Sequence, residues 1–389
     1  MKKVISFVLA GVMAAGLLAG CGSNGTDSNA SEGSGSSAIK IGGVGPLTGA
    51  AAIYGNAAKN GAQIAVDEIN AKGDLKFELK YEDDENDAEK SVNAYNNLKD
   101  WGMQVSLGSV TTQPCIAVAS EIKSDKIFAL TPSASSPEVV KDNDYMFQMC
   151  FTDPNQGSAS AKYIKEQNLG TKIGIIYNNS DAYSTGIYQK FVAEAQTLGL
   201  EVVSEKTFTD DSANDFTSQL NDIKAAGADL VFLPIYYTPA SLILTQAKKM
   251  QYEPKFFGVD GMDGILTVKN FDTSLAENVM LLTPFSADAQ DELTKNFVST
   301  YNEKFGETPN QFAADAYDCV YAIYEVCKSQ NVTADMTAQE IGEKLKTGFT
   351  DSAFKFNGLT GSDMSWATTG EVSKEPKGMI IKNGANVGM

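Results

Sequence analysis

The 389-residue chain contains no histidine, and reading it through finds no arginine, so its 31 basic side chains are all lysines. Without histidine there is no Ser-His-Asp or Cys-His nucleophile pair, no imidazole zinc ligand and no imidazole proton shuttle. Without arginine there is no planar, bidentate fork for phosphate or carboxylate. Positive charge is scarce as well: 49 acidic residues leave a formal charge of −18. Such a surface repels nucleic acid, whose binding rests largely on lysine and arginine displacing counterions from phosphate, so no nucleic-acid partner is expected. What is present is ordinary globular composition, 43% hydrophobic and 21% charged, with enough apolar material for two lobes.

The first residues have the grammar of a secretion signal: Lys2 and Lys3, an apolar run from Val4 to Leu18, then Leu18-Ala19-Gly20-Cys21. That last tetrapeptide resembles the lipobox of bacterial lipoproteins. The resemblance implies a signal peptide over 1–20, cleavage before Cys21, and acylation of Cys21, whose two or more acyl chains would give stable membrane anchoring. Removing Lys2 and Lys3 takes the charge from −18 to −20. The Ser/Gly/Asn-rich stretch that follows makes 21–38 a lipid-anchored flexible tether with a reach of about 20–25 Å. No later stretch approaches the roughly 20 apolar residues that span a bilayer. Of the remaining cysteines, Cys115, Cys150, Cys319 and Cys327, the last two lie in a helical pattern, about 12 Å apart along the axis and beyond bridging reach. Free buried thiols and bridges both remain open for the others.

From Ile39 onward, apolar β-branched runs alternate with amphipathic segments, which predicts βαβ units and mostly parallel sheets. Strands are predicted at Ile39–Val44, Phe77–Tyr81, Gln104–Gly108, Lys126–Leu130, Lys172–Tyr177, Glu201–Phe208, Leu230–Ile235, Lys255–Val259 and Asn278–Leu282. Helices fall between them, for example over Asn56–Asn70, Ser180–Gly199 and Pro239–Met250. So many units exceed one sheet, and ligands of such sheets collect beyond the carboxyl ends of the strands.

The post-strand loops therefore carry the chemistry. Gly45-Pro46-Leu47-Thr48-Gly49 runs on to Tyr54, which fits equally a packing residue at a helix start and a ring covering a ligand. It lacks the spacing of a phosphate-binding or dinucleotide loop. Ser109-Val110-Thr111-Thr112-Gln113-Pro114 opens a helix whose free N–H groups attract a carboxylate, although capping alone also explains these residues. Thr131-Pro132-Ser133-Ala134-Ser135-Ser136-Pro137 is rich in hydroxyls and pinned by prolines. In the second half, Tyr183, Tyr236 and Asp260 stand just after strands, where Asp260 suits a cation or plain solvent.

Taken together, GPLTG…YG, GSVTTQP, TPSASSPE, FTDPNQGSASAKYI, DAYSTG and VDG resemble the substrate-binding proteins of branched-chain amino acid ABC transporters, the leucine/isoleucine/valine-binding group. The resemblance runs from about Ile39 to Gly361 and implies the type I periplasmic-binding-protein fold, two doubly wound parallel-sheet lobes of an α/β Venus-flytrap. It implies lobe 1 over 39–155 and 286–363 and lobe 2 over 156–285 and 364–389, joined by crossovers near Asp153–Gly157, Thr283–Ser286 and Gly361–Trp366. By position it assigns the ligand's carboxylate to Ser109 and the Ser135 amide, and its ammonium to Asp260, the Ser135 hydroxyl and the Ser133 carbonyl. Ala134 lies within the same loop, and Tyr54, Tyr183 and Tyr236 would close over the ligand. Members of the group often carry Thr at the place of Ser135 and Glu at that of Asp260. The expected partners are an amino acid, a permease and ATPase complex, and the outer face of the cytoplasmic membrane through acylated Cys21; a monomer is expected, with no cofactor, no metal and no catalytic residue. The rival readings are an amide, urea-type or carboxylate ligand on the same fold, a ligand sensor, and an exported enzyme.

Overall fold

The computed structural model describes residues 38–389; the signal, Cys21 and nearly all of the tether lie outside the described residues. Strand β1 (Ile39–Gly45) leads into helix α1 (Ala52–Lys72), and the same alternation continues through β2 (Phe77–Asp83), α2 (Ala88–Asp100), β3 (Val105–Ser109), α3 (Thr112–Asp125), β4 (Ala129–Thr131) and β5 (Met146–Gln148). These strands form a five-stranded sheet in the order β2-β1-β3-β4-β5, parallel throughout. Parallel strands covered on both faces read as continuous apolar runs, which is why the sequence pattern found most of them.

The chain then passes through α4 (Asp153–Glu166), β6 (Lys172–Asn178), α5 (Ala182–Leu198), β7 (Glu201–Phe208), α6 (Thr217–Ala225), β8 (Leu230–Leu233), α7 (Tyr237–Lys249), β9 (Lys255–Gly258) and β10 (Met280–Thr283). It returns to the first sheet as α8 (Glu292–Phe305), α9 (Gln311–Ser329) and α10 (Ala338–Phe349), then leaves it for β11 (Lys377–Lys382) and β12 (Ala385–Gly388). The second sheet has seven strands in the order β12-β11-β10-β9-β8-β6-β7, parallel except for the pairs made by β11. The architecture is thus two α/β lobes joined by three crossovers, with strand order reversing beside β1 in one sheet and beside β6 in the other. The loops at those reversals form the ligand position of doubly wound sheets.

Helix α9 is the internal post of the first lobe. It lies so close to α1 that a Cβ on Gly61 would sit 1.9 Å from the Ala313 carbonyl oxygen. Cys319 and Cys327, both on α9, are free and buried, as are Cys115 and Cys150. Burial pushes the Cys115 and Cys327 thiols up to about 12, which leaves them unreactive.

The structure departs from the sequence reading in three places. Strand β5 is too short for an alternation to show. The hairpin β11–β12 was missed although Asn383-Gly384, both at positive φ, is a two-residue turn of the type that favours hairpins. The third crossover also lies later than 361–366. The Trp366 indole donates to the Gln148 carbonyl at 2.8 Å, Gln148 N–H donates to the Gly370 carbonyl at 2.9 Å, and Lys374 pairs with Asp315 of α9 at 2.7 Å. The segment therefore stays on the first lobe until Lys374, held by a buried ion pair that 364–389 as a second-lobe segment does not accommodate.

Candidate functional site

Asp260 begins a single 3-10 turn directly after β9 and is 2% exposed. Its Oδ1 accepts the Tyr183 hydroxyl at 2.6 Å, and that same hydroxyl oxygen accepts the Gly261 N–H at 2.9 Å. Gly261 is required here, because a Cβ would sit 2.6 Å from the Tyr183 oxygen. Asp260 N–H donates to Gln156 Oε1 at 3.1 Å. Burial pushes the Asp260 carboxyl up to about 6, with the Tyr183 bond pulling the other way.

The first lobe meets this turn through Tyr54. Its hydroxyl donates to the Gly261 carbonyl and accepts the Tyr237 N–H at 3.2 Å. Its ring packs edge-on to Tyr236 at 5.3 Å and Tyr237 at 4.8 Å, and against Phe312 at 4.3 Å. The Thr238 hydroxyl donates to the Ala50 carbonyl at 2.7 Å and the Ile53 N–H to the Tyr237 hydroxyl at 3.2 Å, so α7 and the start of α1 are stitched together.

Between these groups lies a void of about 10 Å³, the room of roughly one water molecule. Tyr54, Ser133, Tyr183, Tyr236 and Asp260 line it. Ser109, Ala134 and Ser135 stand behind that lining. The Ser109 hydroxyl bonds Ser91 at 2.6 Å and its carbonyl accepts the Thr131 hydroxyl at 2.7 Å. Ser135 donates to Asp153 Oδ1 at 2.7 Å, and the Ala134 carbonyl accepts Gln148 Nε2 at 2.7 Å. Asp153 is wholly buried, which raises its carboxyl well above the usual range, and its Oδ2 has no partner.

In the wall where Ser109 was expected stand Thr111 and Thr112. Thr111 occupies the N-cap position of α3, yet its side chain makes no capping bond and its buried hydroxyl is unpartnered. The first-turn N–H groups of α3 have no intrahelical acceptor, so this corner presents donors and a partial positive charge. Asp260 belongs to the same lining, and no lysine enters it. Phe312, Val110 and Gly261 complete it. Sequence reasoning named the Thr111-Thr112 loop but singled out Ser109, which stands behind the lining; Phe312, on α9 and far along the chain, carried no local signal. Among the described residues no cluster of metal-ligating side chains occurs and no helix is long and apolar enough to cross a membrane.

A sequence profile described as "Periplasmic binding protein" matches residues 38–374. The chain belongs to that family. Among relatives of this periplasmic binding protein, a Leu/Ile/Val-binding protein of Rhizobium johnstonii is 31% identical over 58% of this chain and 62% of its own length, so the match spans less than two thirds of that relative. The leucine-, isoleucine-, valine-, threonine- and alanine-binding protein of Pseudomonas aeruginosa is 26% identical over 79% of this chain and 82% of its own. A branched-chain amino acid transporter substrate binding protein of Streptococcus pneumoniae, solved in complex with isoleucine, superposes with a TM-score of 0.81 and 27% identity over 90% of this chain and 97% of that one.

Proposed function

We propose that this chain captures an amino acid, branched-chain or otherwise hydrophobic, between its two lobes outside the cytoplasmic membrane and delivers it to an ABC importer, tethered as a monomer by acylated Cys21. The observation that carries the reading is a charge arrangement: a buried carboxylate, Asp260, and the donor-rich start of α3 with its unpartnered Thr111 hydroxyl line one lysine-free void walled by tyrosines. That is the complement of a zwitterion, since a buried ammonium and a buried carboxylate must each be paired. The printed specificities of the relatives support the same ligand class. The role is binding and transport, not catalysis.

A void of about 10 Å³ admits no amino acid. Entry therefore requires the lobes to part, breaking the Tyr54 contacts to Gly261 and Tyr237 and the Thr238–Ala50 bond. On reclosure, hydrogen bonds to the ligand's two charged groups contribute about 1.5–3 kcal/mol each.

A thermal-shift screen against the twenty amino acids, small amides, ureas and carboxylates tests the reading, because ligand at a hundred times its dissociation constant stabilises by about 2.7 kcal/mol. The expected result is a shift confined to leucine, isoleucine, valine and close relatives. A shift only with compounds lacking an ammonium group would overturn the role of Asp260 while leaving the fold untouched.

A further inference from the structure

Helix α4, which follows the first crossover, carries three buried polar side chains on one face. Asp153, Gln156 and Ser160 are each 0% exposed, and spacings of three and four residues stack them on the same side of the helix. Each has an atom without a partner: Asp153 Oδ2, Gln156 Nε2 and the Ser160 hydroxyl. Asp153 is otherwise committed to the Ser135 loop, since Ser135 donates to its Oδ1 at 2.7 Å and its own N–H donates to the Ser135 carbonyl at 3.0 Å. Gln156 is committed to Asp260, whose N–H it accepts on Oε1 at 3.1 Å.

That bond fixes which way the carboxamide points. A flipped amide would set donor against donor, so the oxygen stays on the Asp260 N–H and the unused N–H groups belong to Nε2. A buried donor left unused costs free energy, so it calls for an acceptor close by. Two carboxyls are candidates: Asp153, one turn earlier on the same face, and Asp260, already bound by the other end of the amide. Burial raises the Asp260 carboxyl, and the Tyr183 hydroxyl and then the Gln156 side chain draw it back toward the charged form. The other ionisable groups around it, Tyr54, Cys150, Asp153, Tyr236 and Asp315, are all acids, so its charge rests on neutral donors.

We infer that Gln156 is the positioning residue of Asp260: its Oε1 anchors the turn through the backbone, and its Nε2 donates to the Asp260 carboxylate as that group meets an ammonium. Gln156 touches no ligand and acts only through Asp260. The inference rests on the reading of Asp260 as the ammonium group for its effect on binding, but not for its effect on the carboxylate itself.

The test is a carboxyl carbon-13 NMR titration of the ligand-free chain, with the Asp260 and Asp153 signals assigned by their loss in Asp260→Asn and Asp153→Asn. Leucine calorimetry at pH 8 and pH 5.5 accompanies it. Gln156→Met removes both amide functions at similar length, Gln156→Glu keeps the acceptor for the Asp260 N–H but loses the amide donor, and Ser160→Ala trims the neighbouring hydroxyl on the same face. The Asp260 midpoint, about 6 in the wild type, should move upward by about one unit in both Gln156 variants and stay in place in Ser160→Ala. Leucine affinity should fall by up to about tenfold at pH 5.5 and by less at pH 8. An Asp260 midpoint unmoved in both Gln156 variants, one moved equally by Ser160→Ala, or a shift of the Asp153 midpoint alone would each overturn the inference. A midpoint that moves while leucine affinity does not would keep Gln156 as the positioning residue of Asp260 and overturn the ammonium role of Asp260 instead.

Discussion

At the residue scale the proposed ammonium site turns on one carboxylate. Asp260→Ala leaves the ligand's ammonium buried alone and is expected to cost about 3–5 kcal/mol of amino-acid affinity by calorimetry; a change under about tenfold would remove Asp260 from the site. Because burial sets the Asp260 carboxyl at about 6, affinity for an ammonium ligand should weaken as pH falls through that value, by up to about tenfold per unit below it. Tyr183→Phe removes a hydrogen bond that favours the charged form, so the midpoint of that profile should move upward. An affinity flat from pH 7.5 to about 5 would show that a different group holds the ammonium. Tyr54, Ser133, Tyr183, Tyr236 and Asp260, which line the void, were legible in the sequence because the loops or helix starts that carry them follow strands. Thr111 was not separated from Ser109, because which hydroxyl of a loop turns outward depends on the partners waiting behind it, here Ser91 and Thr131.

At the element scale, the third crossover is held by Lys374, whose side chain and that of Asp315 are each 1% exposed. Lys374 Nζ also reaches the Thr360 hydroxyl, and Asp318 accepts the backbone N–H groups of Leu359 and Thr360, so one buried polar network binds residues 359–374 to α9. Burial raises the Asp315 carboxyl while Lys374 draws it down. Lys374→Met strands that carboxylate and is expected to cost about 3–5 kcal/mol in denaturant unfolding, with much of the loss recovered in Lys374→Met/Asp315→Leu. A single variant as stable as the wild type would show that water reaches Asp315. The sequence offered no sign of this pairing, since Asp315 and Lys374 are 59 residues apart and each reads locally as a surface charge. The hairpin β11–β12 differs: its Asn-Gly turn was a local signal that went unused.

At the scale of the whole molecule, buried carboxylates dominate the response to pH. Burial sets Asp84 at about 7 and Asp181, Asp263 and Asp318, like Asp260, at about 6, all above the ordinary 3.8. A group whose folded value lies above its unfolded one makes the folded state bind more protons, so stability is greatest at low pH and is lost as pH rises through the folded value. The melting temperature should therefore rise between about pH 8 and pH 5.5, reflecting a gain in stability on the order of a few kcal/mol, and the charge of −18 acts in the same direction. A melting temperature that falls over that interval would show these carboxylates to be solvated. The sequence by itself determined the class of this protein. Periodic apolar runs dictate parallel sheets, strand-end loops dictate where a ligand sits, and the absence of histidine and arginine removes imidazole and guanidinium from the groups that can hold it. Only the tertiary structure decided which hydroxyls face inward, where the chain makes its last crossing and how the lobes close on Tyr54, because each depends on contacts between residues far apart in the chain, which no local pattern encodes.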